Sequence, residues 1–523
     1  MKFPKLWGRS AAPAEAEAAP AEVQRRKFFG SRSLAQMFKA SLVSNGTDAW
    51  GATPVSPDVF ISQRQPVLVA RSREQWSNND YVRAFIRLCR QNIVGPQGIT
   101  LQAKARKVRG KGYDKDANDA IEAAWAAWGK PGGCEVTGKL SWRAIQNLVV
   151  ETCARDGEFI ARKIYGADAG PFGFALQLLD PQRLSVKYEN YQHGGSGNFV
   201  RQGIEFNRYG KPVAYHFTST DEWDAYYYSI NGKGFVRIPA DQIIHGYAQE
   251  MVGQRRGLPW TSTSLFRLHH LQGFEDAAVQ NARAGASKMG FFQYRDGFGP
   301  TPDDPDQPIQ IDAEPLSFHE LPEGAEFVDF NPQYPSGEFA LFSKAMLRGA
   351  AAGMGVLYNN MASDLEGVNF SSIRQGTLDE REHWKELQQW LIEALAEPVF
   401  EEWLKLQLLA GRIKTKNGRP LPADKLDTYR CVAWQARRWA WIDPRADVDS
   451  AIKSIRAGLT SPSQVIREQG RDPETVFTEI AEDLQQMKAA GIPGEAIEMF
   501  MTGEPPAPEA EASETETATT EAE

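Results

Sequence analysis

Two long amphipathic stretches bracket a proline- and aspartate-rich excursion near the middle of this 523-residue chain, and that order restricts its fold more than any other feature. The first stretch, 261–288, places Leu265, Leu268, Leu271, Phe274 and Ala278 at helical spacing, and Pro259 is a favourable first-turn residue. As a helix it would extend ~40 Å. Residues 295–310 are dense in Asp, Pro and Gly, and short strands are expected at 316–321 and 327–330. A second helix is expected over 338–352, whose Ala and Gly suit close packing. One such pair of helices leaves too much apolar surface in water. Repeated around a rotation axis, each pair buries its flanks against its neighbours, and head-to-tail contacts of that kind close into a ring.

The flanking sequence predicts an α+β body. Asn78-Asn79-Asp80 offers a cap before Tyr81, Ala84, Phe85, Leu88 and Ile93, and Gly95-Pro96 stops that helix. Helices are expected at 117–128, with Ile121, Ala124, Trp125 and Trp128 on one face, and at 141–153, capped by Ser141. Between about 157 and 250 the pattern turns to strands at 159–164, 175–179, 204–206 and 213–217. A further hairpin is expected where 227–230 and 235–238 flank Asn231-Gly232-Lys233-Gly234. Beyond the second long helix, 355–372 reads as a loop. Residues 372–409 read as a long helix kinked at Pro398, and 412–440 as a strand-containing return to the body. Residues 444–500 are helical, with Ser461-Pro462 and Asp472-Pro473 opening new helices.

Charge and motifs narrow the function. The net charge is −8, and the seven Glu of the acidic tail (503–523) account for all but about one unit of it. A near-neutral body is not the footprint of a protein that grips nucleic acid, but it suits one that DNA slides past. Residues 1–33, rich in Ala, Glu and Pro and then Arg25-Arg26-Lys27, read as a disordered arm. Four scattered cysteines give neither a C-x-x-C motif nor a disulfide framework. The sequence holds no G-x-x-x-x-G-K-[ST] loop, H-E-x-x-H or G-x-S-x-G motif and no long apolar run, so neither catalysis, cofactor, metal nor membrane span is expected. His269 and His270 are adjacent on a helix and point apart, which does not suit joint metal ligation. Two alternatives stay open. One is another structural ring, such as a head–tail adaptor or tail protein. The other is a carbohydrate-active enzyme, which would need carboxylates converging in a cleft.

Several segments together resemble the lambda-type portal proteins of tailed bacteriophages. They include Asn78 through Ala84 running into Asn92-Ile93-Val94-Gly95-Pro96, Arg155-Asp156-Gly157-Glu158, and Leu178 through Leu184. Gly203 through His216, Arg237 through Asp241, Gln254-Arg255-Arg256-Gly257-Leu258-Pro259-Trp260, and Val368 through Arg374 follow in order, so that the resemblance covers about 70–470. It implies a portal-protein fold with an α+β wing (34–258 and 373–445), a long-helix stem (259–292 and 336–355) and a small β-containing clip (293–335). A tunnel loop (356–372) and a helical crown (446–502) complete it. It further implies a homo-oligomeric ring, expected to be a dodecamer, at one capsid vertex of the virion, assembled in the host cytoplasm. Double-stranded DNA would pass through without sequence specificity. The implied partners are the terminase large subunit, which hydrolyses the ATP, the major capsid and scaffold proteins, and the head-completion or adaptor proteins.

Within that frame the channel residues are expected on the loop and stem. Asn359, Asn360, Asp364 and Glu366 lie on a segment without Lys or Arg, so its acids would form repulsive rings that keep DNA centred. Lys344 and Arg348, four residues apart, share one helix face. They would line the lumen as basic rings or pair with acids such as Glu275 or Asp276 of a neighbour. Gly349, Gly353 and Gly355 either let the loop shift or serve close packing. Asp303, Asp304 and Asp306 are expected to face the terminase or adaptor from the clip.

Overall fold

Helix α1 (Pro57–Asn78) buries a stripe of Ile61, Gln65, Val69, Ser72 and Gln75, so three of its five inward positions are polar. This is a computed structural model, and it describes residues 54–107, 112–193, 197–218, 235–286, 290–294, 324–329, 338–439, 444–494 and 496–497. The chain divides into two units between Ser56 and Pro57, and all that follows concerns the second. Asn79 caps α2 (Asp80–Cys89), its side chain accepting from the amides of Tyr81 and Val82 at 3.0 and 3.2 Å. The helix widens into a π turn (Arg90–Val94) and ends at Gly95. Strand β1 (Thr100–Ala103) follows, then α3 (Lys115–Trp128) capped by Asp114 and α4 (Trp142–Asp156) capped by Ser141. Gly157 closes α4 with φ +94°, and an added Cβ there would lie 2.4 Å from the backbone of Leu258, so only glycine lets the two chain segments cross.

Strands β2 (Glu158–Tyr165), β3 (Phe174–Leu179), β4 (Asn190–His193), β5 (Asn198–Arg201), β6 (Ile204–Phe206), β7 (Pro212–Thr218), β8 (Phe235–Pro239) and β9 (Ile243–Tyr247) form two antiparallel sheets. The three-stranded sheet has the order β3-β2-β9 and the five-stranded one β4-β5-β6-β7-β8. The expected strand at 227–230 and its turn lie outside the described residues.

Helix α5 (Leu265–Ala286) starts four residues later than the sequence pattern suggests. Thr261 explains the delay: its buried hydroxyl meets the Ser72 hydroxyl at 2.9 Å, while its carbonyl accepts from Ser264 and Leu265 and so forms the leading turn. Strand β10 (Gly290–Tyr294), which the sequence reading missed, pairs antiparallel with β11 (Ala325–Asp329). The excursion between them and the expected strand at 316–321 lie outside the described residues.

The chain returns through α6 (Glu338–Gly353), the short α7 (Tyr358–Ala362) inside the expected loop, and α8 (Phe370–Leu391), which Asn369 caps at 2.8 Å. A π turn (Ile392–Ala396) then leads into α9 (Glu397–Leu409). The break in the expected long helix thus falls just before Pro398, which has no N–H for the ladder and crowds the preceding turn. After α10 (Leu426–Tyr429), β12 (Val432–Gln435) pairs with β1 in the register Leu101 to Trp434. Helices α11 (Pro444–Arg456), α12 (Pro462–Glu468) and α13 (Pro473–Ala489) follow, the last two capped by Ser461 and Asp472. Helix α12 buries no residue and α13 only Pro473.

The return closes the main core. The Trp125 ring lies 4.7 Å from Trp128, 5.4 Å from Trp142, 5.0 Å from Trp403 and 6.1 Å from Trp434, centroid to centroid, joining α3, α4, α9 and β12. A smaller core of Ile160, Leu184, Ile204, Phe206, Tyr215 and Phe217 lies under the five-stranded sheet.

Candidate functional site

The paired helices α5 and α6 meet through small and aliphatic side chains. Leu268 and Leu271 are buried in one core with Leu347, Ala350 and Ala351. The Ser264 hydroxyl donates to the Ala350 carbonyl at 2.8 Å, and the Thr263 hydroxyl donates to that of Gly353 at 2.9 Å. Phe274 packs against Phe339 and Phe342 at 5.3 and 5.1 Å. The outer surface is mixed: Phe266 is 72% exposed, Val279 52%, Leu341 70% and Phe342 47%, among exposed polar residues such as Arg267, His269, His270 and Asp276.

The segment after α6 is held at two places of different character. On one side Met361 is buried, and Glu380 of α8 accepts from the Leu357 amide at 3.1 Å and from the Asn360 side chain. Burial raises the Glu380 carboxyl above its ordinary range. On the other side, at the half-buried edge of the loop, the Tyr358 hydroxyl donates to Asp364 at 2.6 Å and the Asn359 side chain donates to the Asp364 carbonyl at 2.7 Å. Asp364 in turn accepts from the Glu366 amide at 2.9 Å. Lys344 of α6 reaches across to Glu366 at 2.7 Å and to Asp364 at 3.4 Å. The hydrogen bonds from Tyr358 and from the Glu366 amide hold Asp364 below the usual carboxylate range. Burial, reinforced by Asp364, pushes the Tyr358 phenol up to about 12, and the bond to Glu366 raises Lys344. The Arg348 guanidinium lies 5.5 Å from the Tyr358 ring centroid.

Five of the six expected channel residues therefore gather around Tyr358, while Asn360 turns inward to Glu380. Within the chain Lys344 meets the loop's own acids, Asp364 and Glu366. The acids are thus partly neutralised, although the loop itself carries no Lys or Arg. Sequence reasoning missed the roles of the Tyr358 hydroxyl and of Glu380; a buried carboxylate on the apolar side of α8 was the available signal. The exposed Arg267 guanidinium lies across Gly349. Asp303, Asp304 and Asp306 lie outside the described residues.

A second polar centre fixes how the chain enters α5. Arg73 makes a two-pronged contact with buried Asp156 at 2.9 and 2.8 Å and also reaches Asp180 at 2.8 Å. Two residues on, Glu158 pairs with Arg256, just ahead of Leu258 and Pro259. The sequence segments 155–158, 178–184 and 254–260 thus converge in space. Among the described residues no group of three or more His, Cys, Asp or Glu could hold a metal ion, and no helix is long and apolar enough to cross a membrane.

An α+β body carries a helix pair and an ion-paired loop, and comparison with known sequences assigns that architecture to a class of structural assembly proteins. Residues 44–388 match the model of the family described as phage portal protein, lambda family. The chain is 34% identical over 487 residues to the "Probable portal protein" of Halomonas phage phiHAP-1, which covers 92% of this chain and 91% of that protein. It is 20% identical over 483 residues to portal protein B of Escherichia phage lambda, covering 83% of this chain and 86% of that one. On these matches the chain belongs to the lambda family of phage portal proteins, a family of structural proteins of the phage particle and not of enzymes. Among solved structures it is similar to the neck of a native gene transfer agent particle computed with C12 symmetry. That match has 14% identity and a TM-score of 0.37 and covers 78% of this chain and 94% of the other. An HK97 family phage portal protein from Corynebacterium diphtheriae matches at 10% identity and a TM-score of 0.30, covering 73% and 97%.

Proposed function

We propose that this chain assembles, as a ring of about twelve copies, into the conduit at one vertex of the capsid through which double-stranded DNA enters during packaging and leaves during ejection. The carrying observation is the stem. Its inner seam is already filled by Leu268, Leu347 and Ala350, yet Phe266, Val279 and Leu341 remain in solvent on its outside. Large apolar side chains left exposed among charged ones on a paired-helix stem fit an interface with neighbouring copies of the same stem. In this reading the body is the wing, α5 and α6 are the stem, 356–372 is the loop facing the channel, and α11 to α13 form the crown. The crown helices bury so little within one chain that they too call for neighbours.

The clip, 293–335 with Asp303, Asp304 and Asp306, would dock the terminase large subunit and later the head-completion proteins. The body would meet the capsid and scaffold proteins during assembly in the host cytoplasm. DNA would be touched at phosphates rather than at bases, because a conduit must pass every sequence.

Negative-stain microscopy of the purified chain tests the reading. Rings of about twelve subunits with an open centre are expected. A chain that stays monomeric under capsid-building conditions, or that forms closed assemblies without a hole, overturns it.

A further inference from the structure

The loop between α6 and α8 is two pieces joined at a bend. Residues 356–362 are anchored: Val356 and Met361 are buried, and Glu380 holds both the Leu357 amide and the Asn360 side chain. Ser363 then adopts φ +54°, a left-handed conformation uncommon for a non-glycine residue, and Gly367 has φ +70° with open space where a Cβ would stand. Between these two bends lie Asp364, Leu365 and Glu366. This short piece is held in solvent by Lys344, Tyr358 and Asn359; the Glu366 side chain is 81% exposed and Leu365 67% exposed.

The two attachments differ in strength for a physical reason. A buried carboxylate bonded to a backbone amide has no water to replace its partner, so releasing it is costly. An ion pair in solvent is worth little, is screened by salt, and gives way to another anion at small cost. Lys344 is therefore the exchangeable member of the set. A DNA phosphate presents the same charge-assisted acceptor that Glu366 does.

We infer that Lys344 is a positioning residue that alternates between two sets of anions, clasping Asp364 and Glu366 when the channel is empty and a phosphodiester group when DNA is present, so that the Leu365–Glu366 end of the piece, which Tyr358 and Asn359 do not hold, is loosened as DNA enters. The inference rests on the reading of 356–372 as the channel loop. It assigns a specific consequence to DNA contact: each phosphate that captures Lys344 uncovers two carboxylates. Their repulsion then drives that phosphate off again. A conduit needs contacts that form and break at every step, and this exchange supplies them without a permanent trap.

The test uses assembled full-length protein with Cys431, the exposed cysteine, changed to serine and a nitroxide label on Leu365→Cys. Mobility of the label is read by electron paramagnetic resonance. In the Lys344 background the label is expected to be mainly immobile at ~0.1 M salt and freed at ~1 M, where the Debye length falls from ~10 to ~3 Å. Lys344→Gln is expected to raise the mobile fraction several-fold at low salt, and Lys344→Arg to restore the immobile state. A short DNA duplex is expected to free the label in the Lys344 ring and to change nothing in the Lys344→Gln ring. Identical low-salt spectra for Lys344 and Lys344→Gln overturn the clasp. A clasp that the duplex leaves closed overturns the exchange. Failure of the portal reading shows separately, as the absence of open rings in the same samples.

Discussion

The Arg256 guanidinium closes on the Glu158 carboxylate, its Nε lying 2.9 and 3.0 Å from the two carboxylate oxygens, with the side chains 1% and 0% exposed. The remaining donors of Arg256 are met by the carbonyls of Leu184 at 2.7 Å, Gln202 at 3.0 Å and Pro181 at 3.3 Å. Glu158 also accepts from the Gly257 amide at 2.9 Å and lies 3.0 Å from His245 Nε2. One buried pair thus ties β2, β9 and the turns flanking the five-stranded sheet to the segment that leads into α5. Such a pair is costly to desolvate and is retained here with every remaining donor of Arg256 satisfied.

Removing one partner is therefore expected to destabilise the body by about 3–5 kcal/mol, because the other charge stays buried. Glu158→Gln should show this as a lowered denaturation midpoint at fixed protein concentration. The pH dependence has a definite sign. Burial alone would raise Glu158, but Arg256 and His245 overcome it and hold the carboxyl down to about 2, against 4.5 when unfolded. Its contribution is complete above 4.5 and is lost as pH falls toward 2. Denaturation curves at descending pH should converge for the parent protein and Glu158→Gln across that window, and a constant gap between them would rule the pair out as the source.

Much of the body was legible because its signals are local. Asn79, Ser141, Ser461 and Asp472 each cap the helix their position suggested, and the inward faces of α3 and α4 follow from the apolar spacing. Helix α1 was missed because Gln65, Ser72 and Gln75 occupy its buried stripe, so apolar periodicity is weak there. Strand β1 was missed because its partner β12 lies some 330 residues later, and four residues such as Thr100–Ala103 carry no period of their own. The site divides in the same way. Loop and stem charges could be named from their residue types, but the pairing of Lys344 with Glu366 depends on how α7 and the turn at Ser363 fold the loop back.

Glu122 makes the attachment of the C-terminal helices sensitive to pH. It accepts from the Ala103 amide at 2.7 Å, beside Gln102, whose side chain donates to Asp472, the cap of α13. Burial, with Asp472, Asp119 and Glu474 nearby, raises its carboxyl to about 7, against 4.5 when unfolded; the amide bond opposes this without reversing it. The folded state therefore holds the proton more tightly, and stability falls as pH rises from about 4.5 through about 7. Melting temperatures should be higher at pH 6 than at pH 8 by a margin that Glu122→Gln reduces. An unchanged margin in that variant would show that other groups set it.

Two stem glycines four residues apart should respond oppositely to the same substitution. At Gly349 an added Cβ would fall 1.4 Å from Arg267 Nη1, but that is the free end of a long, exposed side chain that can swing aside. Alanine there gains helix propensity of up to ~1 kcal/mol. At Gly353 an added Cβ would fall 2.6 Å from the Ser264 hydroxyl and 2.9 Å from that of Thr263. Both hydroxyls are pinned across the α5–α6 seam to the carbonyls of Ala350 and Gly353. Alanine there breaks bonds worth ~1 kcal/mol each and spreads the helices where the loop begins. Calorimetry on the purified protein should therefore show Gly349→Ala melting at or above the parent temperature and Gly353→Ala below it. Shifts of the same sign would mean that Arg267 is fixed in place and that the seam, rather than the flexible guanidinium, sets the packing at both positions.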